Sequence, residues 1–161
     1  MKIGTFQVKS GKIIVSDPCY DHKSEAKYPA VNGVWQASVA GKDGVASLTA
    51  STKGASKFRW EKDTTAGVDS GQMSIFDLKF YRDDNLAKGI KMPDWMTPSR
   101  IKKEGKGEKF YGACCTLTLS ENSAGVLPNG VASGTLHGDG VYPVYIKKNE
   151  QGKVVAVKVR F

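Results

Sequence analysis

Gly134-Thr135-Leu136-His137-Gly138-Asp139-Gly140-Val141-Tyr142-Pro143-Val144-Tyr145 places a glycine-pinned turn directly before an alternating run. Glycines flanking Asp139 let the backbone bend through conformations that a side chain forbids, and let another group approach the main chain closely. The period-2 alternation that follows reads as a strand with one buried face. Working outward, residues 67–72 (Gly-Val-Asp-Ser-Gly-Gln) form a second polar turn, and Asp17-Pro18-Cys19-Tyr20 stops an earlier strand. Proline cannot donate to a ladder and pushes the residue before it into extended geometry, which sets Asp17 at a strand end.

The same reading extends to the rest of the chain. Residues 3–8 and 12–16 predict an opening hairpin across Ser10-Gly11, and residues 33–40 and 45–50 a second hairpin across Lys42-Asp43-Gly44. Residues 21–32 read as loop, 58–60 and 64–69 as short strands, 72–77 as a strand, 110–119 as a long strand and 125–130 as loop. Residues 141–147 and 154–161 close the chain as a hairpin. Leu78, Tyr81 and Leu86 give one short helix over 78–88, and residues 99–109, rich in Lys and Gly, have the composition of a flexible basic loop. The expectation is an all-β antiparallel sandwich or open barrel, a single domain over 1–161 with a loop and helix insertion at about 78–109.

Bulk composition narrows the class. With 161 residues, 40% hydrophobic and 9% aromatic, the chain can bury a core, and its 18 glycines are scattered without a collagen-like period. Cys19, Cys114 and Cys115 are an odd count with no CxxC spacing, so neither a disulfide framework nor a zinc site is expected. No apolar run reaches a membrane span and no signal-peptide pattern opens the chain, which together with the cysteines predicts a cytoplasmic protein that does not contact membrane. The net charge of +8 favours anionic partners without naming one, and a solvated strand face explains many of the lysines. No Walker loop, RNP motif or other specific nucleic-acid motif is present.

Chemistry has several candidate seats. His137 lies beside the Gly138-Asp139-Gly140 turn, but no HExxH or paired His spacing makes it a metal ligand, and no metal or cofactor is expected. Asp69, Ser70 and Gln72 put a carboxylate, a hydroxyl and an amide on one turn, where they serve either a ligand or the local backbone. Cys19, with His22 nearby, has a nucleophile's neighbours but reads better as a small buried thiol. Cys114 and Cys115, on a strand, would face opposite sides and so could not share a metal.

The blocks Asp17-Pro18-Cys19-Tyr20, Gly67-Val68-Asp69-Ser70-Gly71-Gln72 with Ile75-Phe76-Asp77, Phe110-Tyr111 with Cys115, and Gly138-Asp139-Gly140-Val141-Tyr142 resemble a family of uncharacterised small proteins of bacteria and their phages. Ser133-Gly134 also fits that pattern, whereas Leu136-His137 departs from its usual small residues. The resemblance implies a β-rich, cytoplasmic, phage-borne or bacterial protein with no established activity. It also draws the acidic turns together into one candidate ligand-binding set of Asp17, Asp69, Ser70, Gln72, His137, Asp139 and Tyr142. On this reading the chain is a binding module for a small anionic molecule or a host protein. A small hydrolase or lyase using Asp69 or Asp139, and an oligomeric assembly protein, are the alternatives.

Overall fold

The computed structural model describes residues 1–21 and 26–161. Among the described residues eleven strands form two antiparallel sheets. The first has the order β1 (Lys2–Val8), β4 (Gly33–Ala40), β5 (Ser47–Thr52), β11 (Val154–Arg160), β10 (Gly140–Lys148) and β6 (Glu61–Val68). The second has the order β3 (Ala26–Pro29), β2 (Lys12–Ser16), β7 (Gln72–Asp77), β9 (Gly130–Gly134) and β8 (Ala124–Leu127). The two sheets make a sandwich, and no closed barrel forms.

Alternation decides what fills the space between the sheets. Phe6, Trp35, Leu48, Val144, Ile146 and Val157 from the first sheet meet Ile13, Val15, Met73, Ile75 and Val131 from the second in one core. The second sheet is buried on both faces. Ile14, Phe76, Leu127 and Ala132 point the other way and pack under Tyr81, Phe110, Ala113 and Cys114. This explains the apolar run Ile13-Ile14-Val15 in β2, and why every residue of β7 is buried, its polar Gln72, Ser74 and Asp77 included. Gly130 is required by the same layer, because a Cβ there would stand 2.1 Å from Cδ1 of Phe76, whose ring lies directly over it.

That third layer overturns several sequence expectations. Residues 99–109 are not a flexible loop, and 110–119 are not a strand. They form α1 (Pro98–Glu104) and α2 (Glu108–Thr118). Thr97 Oγ1 caps α1 by accepting from the Arg100 amide at 3.2 Å, with Pro98 as its first residue, a favoured start. Asp84 caps α2 from a distance, accepting from the Gly107 and Phe110 amides at 3.0 and 2.9 Å. Gly107 enters α2 with φ of 90°, and a Cβ on it would collide with the Arg82 guanidinium. Arg100 and Glu108, 2.8 Å apart, tie the helices to each other. Cys114 and Cys115 are therefore successive residues of a helix, one facing the sheet and the other turned about 100° away.

Other differences are local. The short helix expected over 78–88 is a set of turns with one 3-10 turn, Asp84–Ala87, because side-chain contacts to the sheet hold Tyr81 and Ala87 without a continuous helical ladder. The opening hairpin does not form: β1 pairs with β4, β2 with β3 and β7, so Ser10-Gly11 is a crossing between sheets. Residues 69–71 cross between sheets in the same way. Residues 58–60 are irregular, whereas parts of the expected loops, 26–29 and 125–127, are strands. The β4–β5 and β10–β11 hairpins form as expected. His22 lies outside the described residues.

Candidate functional site

The site begins at the end of β2. Asp17 is fully buried, and its carboxylate accepts four hydrogen bonds. Oδ2 receives the Asp69 and Ser70 amides at 2.9 and 2.8 Å. Oδ1 receives the Cys19 amide at 2.9 Å and the Ser70 hydroxyl at 2.6 Å. Asp139 does the same for the next residue along, with Oδ1 accepting from the Gly71 amide at 2.9 Å. Two carboxylates from distant parts of the chain thus hold the 69–71 crossing in one shape. A tight polar turn must cross sheets here, leaving amides that no ladder can satisfy, and the acids supply the missing acceptors.

Arg82 fixes the other side of the Asp17 turn. Its Nη1 lies 3.2, 3.1 and 3.4 Å from the carbonyls of Pro18, Cys19 and Tyr20, and its own backbone has φ of 60°. Tyr81 Oη reaches the Asp17 carbonyl at 2.7 Å. The Asp17-Pro18-Cys19-Tyr20 segment is consequently held from below by backbone and from the side by a cation.

Above this brace opens a cavity of about 350 Å³ between the 70–72 crossing, α2 and the loop before α1. Ser70, Gln72, Trp95, Tyr111, Cys115 and Leu119 are among its walls, and none of the lining residues carries a formal charge. Gln72 is buried. Its Nε2 donates to the Cys115 sulfur at 3.2 Å, while Oε1 is buried with no partner. Turning the amide over would exchange the two ends and still leave one unpaired, since Cys115 can serve only one of them. Trp95 and Tyr111 lie 6.3 Å apart at an interplanar angle of 57°, so two aromatic surfaces stand beside the opening.

The thiols around the site are held protonated. Burial pushes Cys19 up to about 12, and the hydrogen-bonded Asp17 carboxylate adds to this. Burial also raises Cys115, against the opposing hydrogen bonds from Gln72 and Tyr111. Tyr111 is raised by burial and by Cys115 beside it. An unfolded cysteine ionises near 9.0, whereas folded Cys19 keeps its proton to about 12, so this thiol's contribution to stability is lost as pH climbs through that window. Labelling by a disulfide reagent at pH 8 is therefore expected to be slow in the native protein. It should accelerate at least tenfold in denaturant; equal rates in the two states would contradict the shift.

Only part of the expected set meets at this cavity. Ser70 and Gln72 line it directly, and Asp17 and Asp139 support it from behind. The Asp69 carboxylate is on the exposed side of its turn, beside the Tyr20 hydroxyl. His137 is exposed at the tip of the 135–138 turn and is not among the cavity's lining residues. Tyr142 points into the sandwich core, donating to the Gly138 carbonyl at 2.8 Å and meeting Phe161 edge-on. The side chains missed are Tyr111, Cys115 and Thr118 of α2, Leu119 at its end, and Trp95 from the loop before α1. A signal for the three on α2 existed: Phe110, Ala113, Cys114 and Leu117 stand at i, i+3, i+4 and i+7, and Tyr111, Cys115 and Thr118 repeat that spacing one residue later.

Fold and site together define a β-sandwich with a helical layer on one sheet and a small uncharged cavity where helix, sheet and crossing turns meet. The chain belongs to the family described as protein of unknown function (DUF4241), whose pattern matches residues 61–159. That span includes every residue lining the cavity and leaves Asp17 outside it. No curated protein and no solved structure matches the chain.

Proposed function

We propose that this protein is a binding module for a small molecule, with the Ser70–Gln72–Tyr111–Cys115 cavity as its site. The carrying observation is the buried, unpaired end of the Gln72 amide in the wall of a cavity whose turns are already locked. An unmade hydrogen bond of this kind costs roughly 1–3 kcal/mol, and a ligand that makes it recovers the loss. Preformed walls also reduce the ordering cost of binding. A larger cleft of about 470 Å³ between Met1, the 41–45 loop and Glu121 has no such waiting group in its lining.

The neutral lining favours an uncharged ligand over an anionic one. Acid-base catalysis has less support: the Asp17 and Asp139 carboxylates are engaged by amides, His137 is away from the cavity, and the thiols nearby stay protonated. An assembly role would use exposed Trp95 and Leu119, but these already serve as the rim of the same cavity. Three free cysteines support a reducing, cytoplasmic setting. Among the described residues no helix is long and apolar enough to cross a membrane.

Gln72→Met separates a binding role from a structural one. It removes the unpaired acceptor and the bond to Cys115 while keeping the volume, so stability should be unchanged or rise by about 1 kcal/mol. In thermal-shift measurements with a panel of neutral nucleosides, amides and sugars, compounds that stabilise the wild type should lose that effect in the variant. A destabilisation beyond about 2 kcal/mol, or ligand shifts that survive the substitution, would refute this assignment of Gln72.

A further inference from the structure

We infer that the outward face of the six-stranded sheet binds single-stranded nucleic acid, independently of the cavity. The face is assembled by register. Tyr145 on β10 stands opposite Lys158 on β11 and Lys62 on β6, so the ring is flanked by a lysine on each side. Lys147 lies two residues further along β10 and Arg160 two residues further along β11, on the same side by alternation. Trp60, just before β6, lies beneath both lysines: Nζ of Lys158 is 4.6 Å and Nζ of Lys147 4.9 Å from its ring centre. The Arg160 guanidinium is 5.0 Å from the Tyr145 ring.

Carboxylates are missing from the register positions of this face. Lys158 is opposite Thr49 and Arg160 opposite Ser47 on β5, which in turn meet Ser38 and Ala40 on β4. At the start of β6, Glu61 is in register with inward-facing Ile146, and Asp63 accepts from the Tyr28 hydroxyl, whose ring belongs to the inner core. Among the described residues the ion pairs are Arg100 with Glu108 and Lys103 with Glu104, both in the helical layer. The cations of the sheet face therefore repel one another across an aromatic floor, and Arg160 and Lys147 add to burial in lowering the Lys158 pKa. A polyanion relieves that repulsion. Phosphates that draw these cations off the two half-buried rings free Trp60 and Tyr145 for bases to stack on, and a duplex keeps its bases paired inside, so the combination fits a single strand.

The test is fluorescence anisotropy with a 5′-labelled twenty-nucleotide oligothymidine on the full chain. Binding is expected at low salt, with log K falling against log salt at a slope of about −3 for contacts from Lys62, Lys147, Lys158 and Arg160. The double variant Lys158→Glu/Arg160→Glu should weaken binding at least tenfold. Tyr145→Leu, which keeps the charge, should weaken it about fivefold or more for the oligonucleotide and leave heparin binding unchanged. Thermal melts establish that each variant folds, and Lys62→Glu at an exposed position supplies a second charge test if the double variant does not. No binding, or binding of heparin and duplex DNA as tight as that of the single strand and indifferent to Tyr145→Leu, overturns the inference. Neither result bears on the cavity, none of whose lining residues belongs to a strand of the six-stranded sheet.

Discussion

Asp17→Ala is expected to lower unfolding free energy by roughly 4 kcal/mol. The carboxylate is fully buried and accepts the amides of Cys19, Asp69 and Ser70 as well as the Ser70 hydroxyl. Bonds to a charged acceptor contribute about 1.5–3 kcal/mol each, but these donors sit partly near the surface and water replaces some of what is lost, which brings the total below their sum. Asp17→Asn keeps the shape and is expected to cost about 2–3 kcal/mol, because one of its two ends is a donor facing donors. Against a typical domain stability of about 5–15 kcal/mol, the alanine variant should show a clearly lower urea midpoint. A loss under about 1 kcal/mol would mean the three-turn brace is not what holds the site.

The second large effect is expected at Phe110. Its ring is completely buried under the helical layer, 4.9 Å from Phe76 and 5.4 Å from Tyr81 in edge-on contacts. Phe110→Ala should cost about 3–5 kcal/mol through lost transfer energy and the cavity left behind. Because α2 also carries Tyr111 and Cys115, the same variant should raise hydrogen exchange across Glu108–Thr118 and abolish ligand shifts at the cavity. Equilibrium denaturation checks the first part and hydrogen exchange the second. If α2 amides stay as protected as in the wild type, the helix does not depend on this docking contact.

Both expectations concern places where local reading and tertiary context disagree. Residues 110–119 are rich in β-prone side chains, and Phe110-Tyr111 with Cys114-Cys115-Thr116 favours a strand by propensity alone. The segment is helical because its i, i+3, i+4, i+7 face meets an apolar sheet surface already exposed by Ile14, Phe76 and Ala132, and because Asp84 caps it from another part of the chain. Residues 99–109 looked unstructured for a related reason. Their polar surface is real, but Thr97 and Pro98 start a helix that Glu108 then anchors through Arg100.

The acidic turns were legible as a group, and their role was only half so. Asp17, Asp69 and Asp139 do belong to one neighbourhood, yet Asp17 and Asp139 act on the backbone of the 69–71 crossing, and the Asp69 carboxylate is turned away. The partners that make the cavity, Trp95, Tyr111 and Cys115, lie on the loop before α1 and on α2, far from those turns in sequence.

What the chain's sequence determined by itself is the β-rich class, the β4–β5 and β10–β11 hairpins, and the positions of the polar turns, because alternation and turn chemistry are local properties. Tertiary structure alone decided that neighbouring strands such as β1 and β2 enter different sheets, that a β-prone run becomes α2, and that a buried amide is left with one end unpaired. Each of those outcomes depends on which surfaces meet across long chain separations, and the free energy of burying one apolar face against another exceeds the small local preferences that a sequence displays.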